Sequence, residues 1–120
     1  MAGEGHDFCR KRRLRKRPEF LEVYARGKRY TGVGITIFYK SNNLGVSRIG
    51  LDISRKVGNA VKRNRYKRLL REVFRQYRSR LAADYDLVIR VHPGSETLDY
   101  RNILREFLNF ADKTAGWKNN

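Results

Sequence analysis

The sequence predicts a small single-domain α+β fold. Three observations point to it. Residues 33–40, 48–54 and 86–92 alternate apolar and polar side chains, as half-buried strands do. Residues 60–77 and 98–111 instead repeat their apolar side chains every three to four positions, as amphipathic helices do. The chain has 120 residues, 40% of them hydrophobic and only two of them proline, enough for one modest core.

The N-terminal stretch opens with charge rather than pattern. Residues 10–17, RKRRLRKR, hold seven cations in eight positions. Such blocks stay disordered alone and serve as interaction arms, so residues 1–17 are expected to be a flexible arm and 18–113 the folded domain. Pro18 suits a first helical position, and PEFLEVYARG reads as a short helix closed by Gly27. Phe20 and Tyr24, four apart, share one of its faces.

In VGITIFYK, Val33, Ile35, Ile37 and Tyr39 point one way, while Gly34, Thr36, Phe38 and Lys40 point the other. SNNLG is turn-rich, and RIGLDIS alternates again with Ile49, Leu51 and Ile53 on one face. These two strands read as an antiparallel hairpin. DLVIRVH supplies a third strand, with Leu87, Ile89 and Val91 inward, stopped by Pro93 and Gly94. A last helix is expected from about Leu98, capped by Thr97 or Ser95, with Tyr100, Ile103, Leu104, Phe107, Leu108 and Ala111 on its apolar stripe. Residues 114–120 read as a polar tail.

One sheet face is therefore aliphatic and must be covered by helices. The other offers Thr36, Phe38, Arg48, Asp52, Arg90 and His92. That mixture suits a partly wet binding surface better than a core.

The segment GNAVKRNRYKRLLREVFRQY, residues 58–77, divides its helix in two. Asn59 is placed as N-cap. Tyr66, Leu69, Leu70, Val73, Phe74 and Tyr77 form one stripe, each worth roughly 1.5–3 kcal/mol when fully buried. Asn64, Arg68, Arg71, Arg75 and Arg78 fall opposite, flanked by Arg65 and Lys67, with Glu72 the only acid. Solvated helix faces normally mix charge signs, because i,i+4 ion pairs stabilise them. A ladder of cations instead calls for a polyanion. The whole chain agrees, with 28 Lys and Arg against 12 Asp and Glu and a formal charge of +16. Arginine outnumbers lysine on the ladder, which favours bidentate contacts to phosphate.

Several other classes find no support. No apolar run approaches the ~20 residues of a membrane span, and the N-terminus lacks the apolar core of a secretory signal. Cys9 is the only cysteine, so an internal disulfide is impossible, no disulfide-linked partner is expected, and a reducing cytosol fits. No metal site is expected; Cys9 and His6 do not make one. His6 and His92 lack evident catalytic partners, and the glycines fit no phosphate-cradling loop. Asp52, isolated on the polar sheet face, is read as pairing with Arg48 or a neighbouring-strand cation, or as holding a cation near phosphates. Phe38 beside Phe20 and Tyr24 suggests platforms for unpaired bases, which favours single-stranded or structured RNA over duplex DNA. The residues alone thus point to a small RNA-binding domain without chemistry of its own. A ribosome-associated or general structured-RNA binder, a DNA-packaging protein and a membrane-active cationic protein stand as alternatives.

ISRKVGNAVKRNRYKRLLREVFR closely resembles the RNR signature of the bacterial ribonuclease P protein subunit. Ala60 precedes Arg63-Asn64-Arg65, followed by Lys67-Arg68 and Arg71. The resemblance runs from the basic arm to the final helix, about residues 10–112. Tyr66 departs from it, standing at a usually aliphatic position, as does Asp52, where small or β-branched residues are usual.

The resemblance implies a compact two-layer α/β sandwich, α-β-β-(β)-α-β-α, similar to a ribosomal-protein and elongation factor G fold. It also implies a left-handed βαβ crossover through the basic helix, where general rules favour a right-handed one. It implies a cytoplasmic bacterial ribonucleoprotein endonuclease that removes the 5′ leader of precursor tRNA. There the RNA subunit cleaves using Mg²⁺, while the protein binds catalytic RNA and leader and strengthens metal and substrate affinity. Carried over residue by residue, Arg55, Lys56, Arg63, Asn64, Arg65, Lys67, Arg68, Arg71 and Arg75 would meet the catalytic RNA. Phe20, Tyr24, Phe38, Asp52 and Arg90 would line the leader cleft. Arg12, Arg13, Arg15, Lys16 and Arg17 would add phosphate contacts from the arm. Asn64, an amide inside a cationic ladder, would direct a hydrogen bond to RNA or back to the loop before the helix.

Overall fold

The computed structural model describes residues 13–94 and 98–116. Their elements run α1 (Arg17–Arg26), β1 (Lys28–Thr31), β2 (Ile35–Ser41), β3 (Arg48–Asp52), α2 (Ala60–Tyr77), β4 (Tyr85–Val91) and α3 (Tyr100–Phe110). The four strands form one sheet in the order β1-β2-β4-β3. β1 pairs antiparallel with β2, β2 antiparallel with β4, and β3 parallel with β4.

This order corrects the expected hairpin. β2 and β3 are consecutive in sequence yet are not neighbours, because β4 lies between them. The reason is burial. YDLVIRV is the most continuously apolar strand, and Leu87, Val88, Ile89 and Val91 are all buried. A strand buried on both faces belongs in the middle of the sheet, where both its hydrogen-bonding edges are also paired. β1 is short and half polar, carrying only Tyr30 toward the core, and its four residues leave no readable alternation.

The main core lies between one sheet face and helices α2 and α3. Ile35, Ile37, Ile49, Leu87, Ile89 and Val91 from the sheet meet Tyr66, Leu70, Val73 and Phe74 from α2 and Ile103, Phe107 and Phe110 from α3. Leu69 and Tyr77 are partly buried against it, so the whole expected stripe of α2 packs inward. Tyr66, where the resemblance leads one to expect an aliphatic, is 1% exposed and is absorbed by the core. Asn59 caps α2 as expected, its side chain accepting from the Lys62 N–H at 2.9 Å.

Helix α3 is capped by Asp99, which accepts from the Asn102 N–H at 2.9 Å. This replaces the expected Thr97 or Ser95 caps, which lie outside the described residues. Leu98 is buried just before the cap rather than inside the helix. Beyond Phe110 one wider turn, Ala111–Ala115, extends the helix. The Ala82 N–H donates to the Gly116 carbonyl at 2.9 Å, so the start of the expected polar tail is tied to the domain.

Helix α1 covers part of the opposite sheet face, through a smaller cluster of Leu14, Val23 and Val88 with Phe20, Tyr24 and Phe38 around it. Gly50 makes this close approach possible. A Cβ there would stand 2.6 Å from the Phe20 ring and 3.0 Å from the Leu14 Cβ. The same cluster shortens the expected flexible arm. Leu14 is 4% exposed, its N–H donates to the Ile49 carbonyl at 2.8 Å, and Arg13 bridges Ile49 in a parallel sense along the outer edge of β3. One apolar side chain inside the cationic block is enough to fasten its inner end.

A cationic helix and an aromatic, acid-bearing sheet face

Two surfaces gather the sequence-derived candidates. The first is the outer face of α2 with the turn before it. Arg55 and Lys56 are exposed on a single 3₁₀ turn, Arg55–Val57. Arg63, on the first turns of α2, donates to the Gly58 carbonyl at 3.4 Å. Arg63 is thus the side chain that reaches back to the preceding loop, while Asn64 stays exposed and makes no side-chain hydrogen bond among the described residues. No acid occupies the first turn of α2, so its positive dipole end adds to the local field.

Arg65 and Arg68 are exposed farther along, and Lys67 is half-buried. Arg71 is also half-buried, and burial lowers its guanidinium pKa, with the neighbouring Arg13 charge acting in the same direction. The arm therefore delivers a cation to the middle of the ladder. Arg75 differs from the rest. Its guanidinium donates to Glu72 at 2.7 Å, which offsets part of its charge. Arg78 falls past the end of α2, in a 3₁₀ turn. Of the arm candidates, Arg15, Lys16 and Arg17 are exposed, and Arg12 lies outside the described residues. Glu19 ties this segment down by accepting from the Arg15 and Lys16 N–H groups at 2.8 and 3.0 Å.

The second surface lies on the sheet face away from α2. It brings together all five residues expected there. Phe20, Tyr24 and Phe38 belong to the small cluster, each partly buried. The Tyr24 and Phe38 rings meet edge to face, 4.8 Å between centroids at 86°. The Arg90 guanidinium sits over both rings, 5.1 Å from Tyr24 and 5.0 Å from Phe38. Its Nε donates to Asp52 Oδ2 at 3.0 Å, and the Tyr24 hydroxyl donates to the same oxygen. Asp52 thus pairs with the neighbouring-strand cation and not with Arg48. Burial, followed by the hydrogen bond to Asp52, pushes the Tyr24 hydroxyl up to about 12, so it remains a donor throughout the neutral range. Alongside, Thr36 Oγ1 and His92 Nε2 lie 2.6 Å apart. Arg48, at the other end of β3, is engaged with Asp86 and Glu19 and so takes no part in this cleft.

Among the described residues no three His, Cys, Asp or Glu side chains gather in a way that would hold a metal ion. The acid of the cleft, Asp52, is already shared by a phenol and a guanidinium. What the two surfaces offer instead is charge and stacking.

The model of the ribonuclease P family matches residues 8–115. The chain belongs to this family. It is 42% identical over 94 residues to the ribonuclease P protein component of Syntrophus aciditrophicus, covering 78% of this chain and 79% of that one. It is 38% identical over 101 residues to the component from Natranaerobius thermophilus, covering 84% and 88%. Among solved structures, the RNase P protein of Thermotoga maritima superposes with a TM-score of 0.75 at 29% identity, covering 87% of this chain and 98% of that one. The Staphylococcus aureus protein gives 0.74 at 26% identity, covering 89% and 97%. The chain is a protein subunit of the ribonuclease P endonuclease holoenzyme, which acts in tRNA 5′ processing. Both surfaces, Asp52 included, fall within the matched residues.

Proposed function

We propose that the two surfaces divide the work of this subunit between two RNAs. The outer face of α2, with Arg55, Lys56 and the arm cations, docks on the catalytic RNA of ribonuclease P. The cleft of Phe20, Tyr24, Phe38, Asp52 and Arg90 holds the single-stranded 5′ leader of precursor tRNA. The reading rests on one observation above the others: Tyr24, Phe38 and Arg90 form a half-exposed stacking group on the sheet face that α2 does not occupy. Aromatic and guanidinium planes stack on unpaired bases, and a cationic ladder follows phosphates.

In this reading the protein contributes binding and the catalytic RNA carries out cleavage. Mg²⁺ held by that RNA supports hydrolysis of the phosphodiester at the mature 5′ end. The protein neutralises backbone charge near that site through α2, and it retains the leader through the cleft. Both effects raise affinity for the metal-loaded, leader-bearing complex. In this reading the work takes place in the bacterial cytoplasm.

The test is cleavage of a leader-bearing precursor tRNA by a bacterial ribonuclease P RNA at low Mg²⁺, with and without the protein, beside binding of mature tRNA. Restored cleavage with an affinity gain confined to the leader-bearing substrate is expected. Unchanged cleavage with equal binding of both RNAs would leave a general structured-RNA binder.

A further inference from the structure

The carboxylate of Asp52 is used on one side only. The Tyr24 hydroxyl and the Arg90 Nε both donate to Oδ2, and Oδ1 accepts no hydrogen bond from any described residue. The side chain is one-third exposed, at 33%. An ionised carboxylate is an acceptor alone, with about two lone-pair directions on each oxygen. Its two donors hold it in place, because Asp52 and Arg90 are direct cross-strand partners in the β3–β4 ladder and Tyr24 approaches from α1. The outcome is a fixed, open acceptor beside two rings and a guanidinium suited to stacking.

Such an acceptor discriminates among the parts of an RNA strand. It repels backbone phosphates, so a strand in the cleft turns its bases toward Asp52 and its phosphates away. Among bases, it favours those with an exocyclic amino group. Cytosine presents a 4-amino donor where uracil presents a carbonyl oxygen, and the two rings are otherwise nearly isosteric. Acidic side chains read the cytosine amino group in this way elsewhere in nucleic-acid recognition. Resting on the leader-cleft reading, we infer that Asp52 Oδ1 is a specificity determinant that selects an amino-bearing base over uracil in the bound 5′ leader.

The experiment uses the reconstituted holoenzyme and precursor tRNAs whose leaders differ only in being oligo-C or oligo-U. Mature tRNA serves as the leader-free control. The wild-type holoenzyme is expected to bind the oligo-C leader about tenfold more tightly, the worth of one hydrogen bond to a charged acceptor. Asp52→Asn keeps the shape, but its oxygen is held by Tyr24 and Arg90 and its amide NH2 faces the opening as a donor only, so the ratio should fall to one or below. Asp52→Ser removes the charge as well and should bring the ratio close to one.

A merely structural Asp52 would lower affinity for both leaders equally and leave the tenfold ratio standing in both variants. That result overturns the inference. Equal wild-type binding of the two leaders, with both still tighter than mature tRNA, overturns it too while leaving the cleft reading intact. Leaders that add no affinity at all overturn the cleft reading and this inference together.

Discussion

Arg48 and Asp86 face each other across the parallel β3–β4 ladder as a two-pronged ion pair. Nε and Nη2 of Arg48 each donate to a different oxygen of Asp86 at 2.8 Å. Four residues along, the same two strands carry the pair with its order reversed, Asp52 opposite Arg90. The two pairs differ in surroundings. Asp86 is buried and also accepts from the Asn42 amide at 2.8 Å, which locks the loop joining β2 to β3. Arg90 is exposed, and the Asp52 pair borders the cleft. One pair braces the β3–β4 ladder from a buried position, and the other lies at the edge of the proposed cleft.

Removing Asp86 should therefore act on folding. Breaking a fully buried pair costs about 3–5 kcal/mol, and partial exposure of Arg48 reduces this to about 2–3 kcal/mol. Asp86→Ala should lower the urea midpoint accordingly. Leader affinity of the folded fraction should change little. Unaltered stability would show that the pair does not stabilise the fold.

Phe38 should act on substrate. Stacking of one base on an aromatic ring is worth about 1–3 kcal/mol. Phe38→Ala should weaken binding of leader-bearing tRNA by at least about fivefold, while binding to the catalytic RNA and to mature tRNA holds. Equal loss for both RNAs would instead mean that the small cluster around Phe38 had collapsed, which thermal melting of the variant would reveal.

On α2, pairing separates the arginines. Arg68 is exposed, whereas Arg75 is bound to Glu72. Arg68→Ala should reduce the log–log salt slope of catalytic-RNA binding by about 0.7–0.9, as one lost phosphate contact does. Arg75→Ala should reduce it by less, because part of its charge is already offset within the helix. A larger slope change at Arg75 than at Arg68 would reverse the assignment of the docking face.

Acid should loosen the arm first. Hydrogen bonds from the Lys16 and Arg15 N–H groups, aided by the Arg48 charge, outweigh burial and hold the Glu19 carboxyl below its usual value. A carboxyl whose folded pKa is depressed adds stability that is complete above its unfolded pKa, about 4.3 for Glu. That stability is lost as the pH falls through the lower folded value. Glu19→Gln should flatten the acid side of the stability curve below about pH 4.3 and leave neutral RNA binding nearly unchanged. An unchanged acid limb would show that Glu19 does not fasten the arm.

The periodic patterns determined the helices, three of the four strands and the division of α2 into a buried and a cationic stripe. Those features follow from the chain's local geometry, since side-chain direction is set by 3.6-residue and two-residue repeats. The same repeats made legible the cationic ladder, the shared helix face of Phe20 and Tyr24 and the outward position of Phe38, while the Asn59 cap was legible from its residue type. Strand order was not, because which strand lies between two others depends on total burial rather than on adjacency. β4 displaced the expected hairpin by being the strand with both faces to hide. Leu14 was invisible for a related reason: among seven cations its apolar side chain carries no period, and only the groove left by Gly50 gives it a place. The sequence by itself determined that the chain carries a helix with one buried and one cationic face, on which the proposed docking to RNA rests. Tertiary structure alone decided that Arg48 would be spent on Asp86, that Arg90 would cover Tyr24 and Phe38, and that Asp52 would keep one oxygen open, because each of those outcomes depends on which side chains the parallel β3–β4 register sets opposite one another.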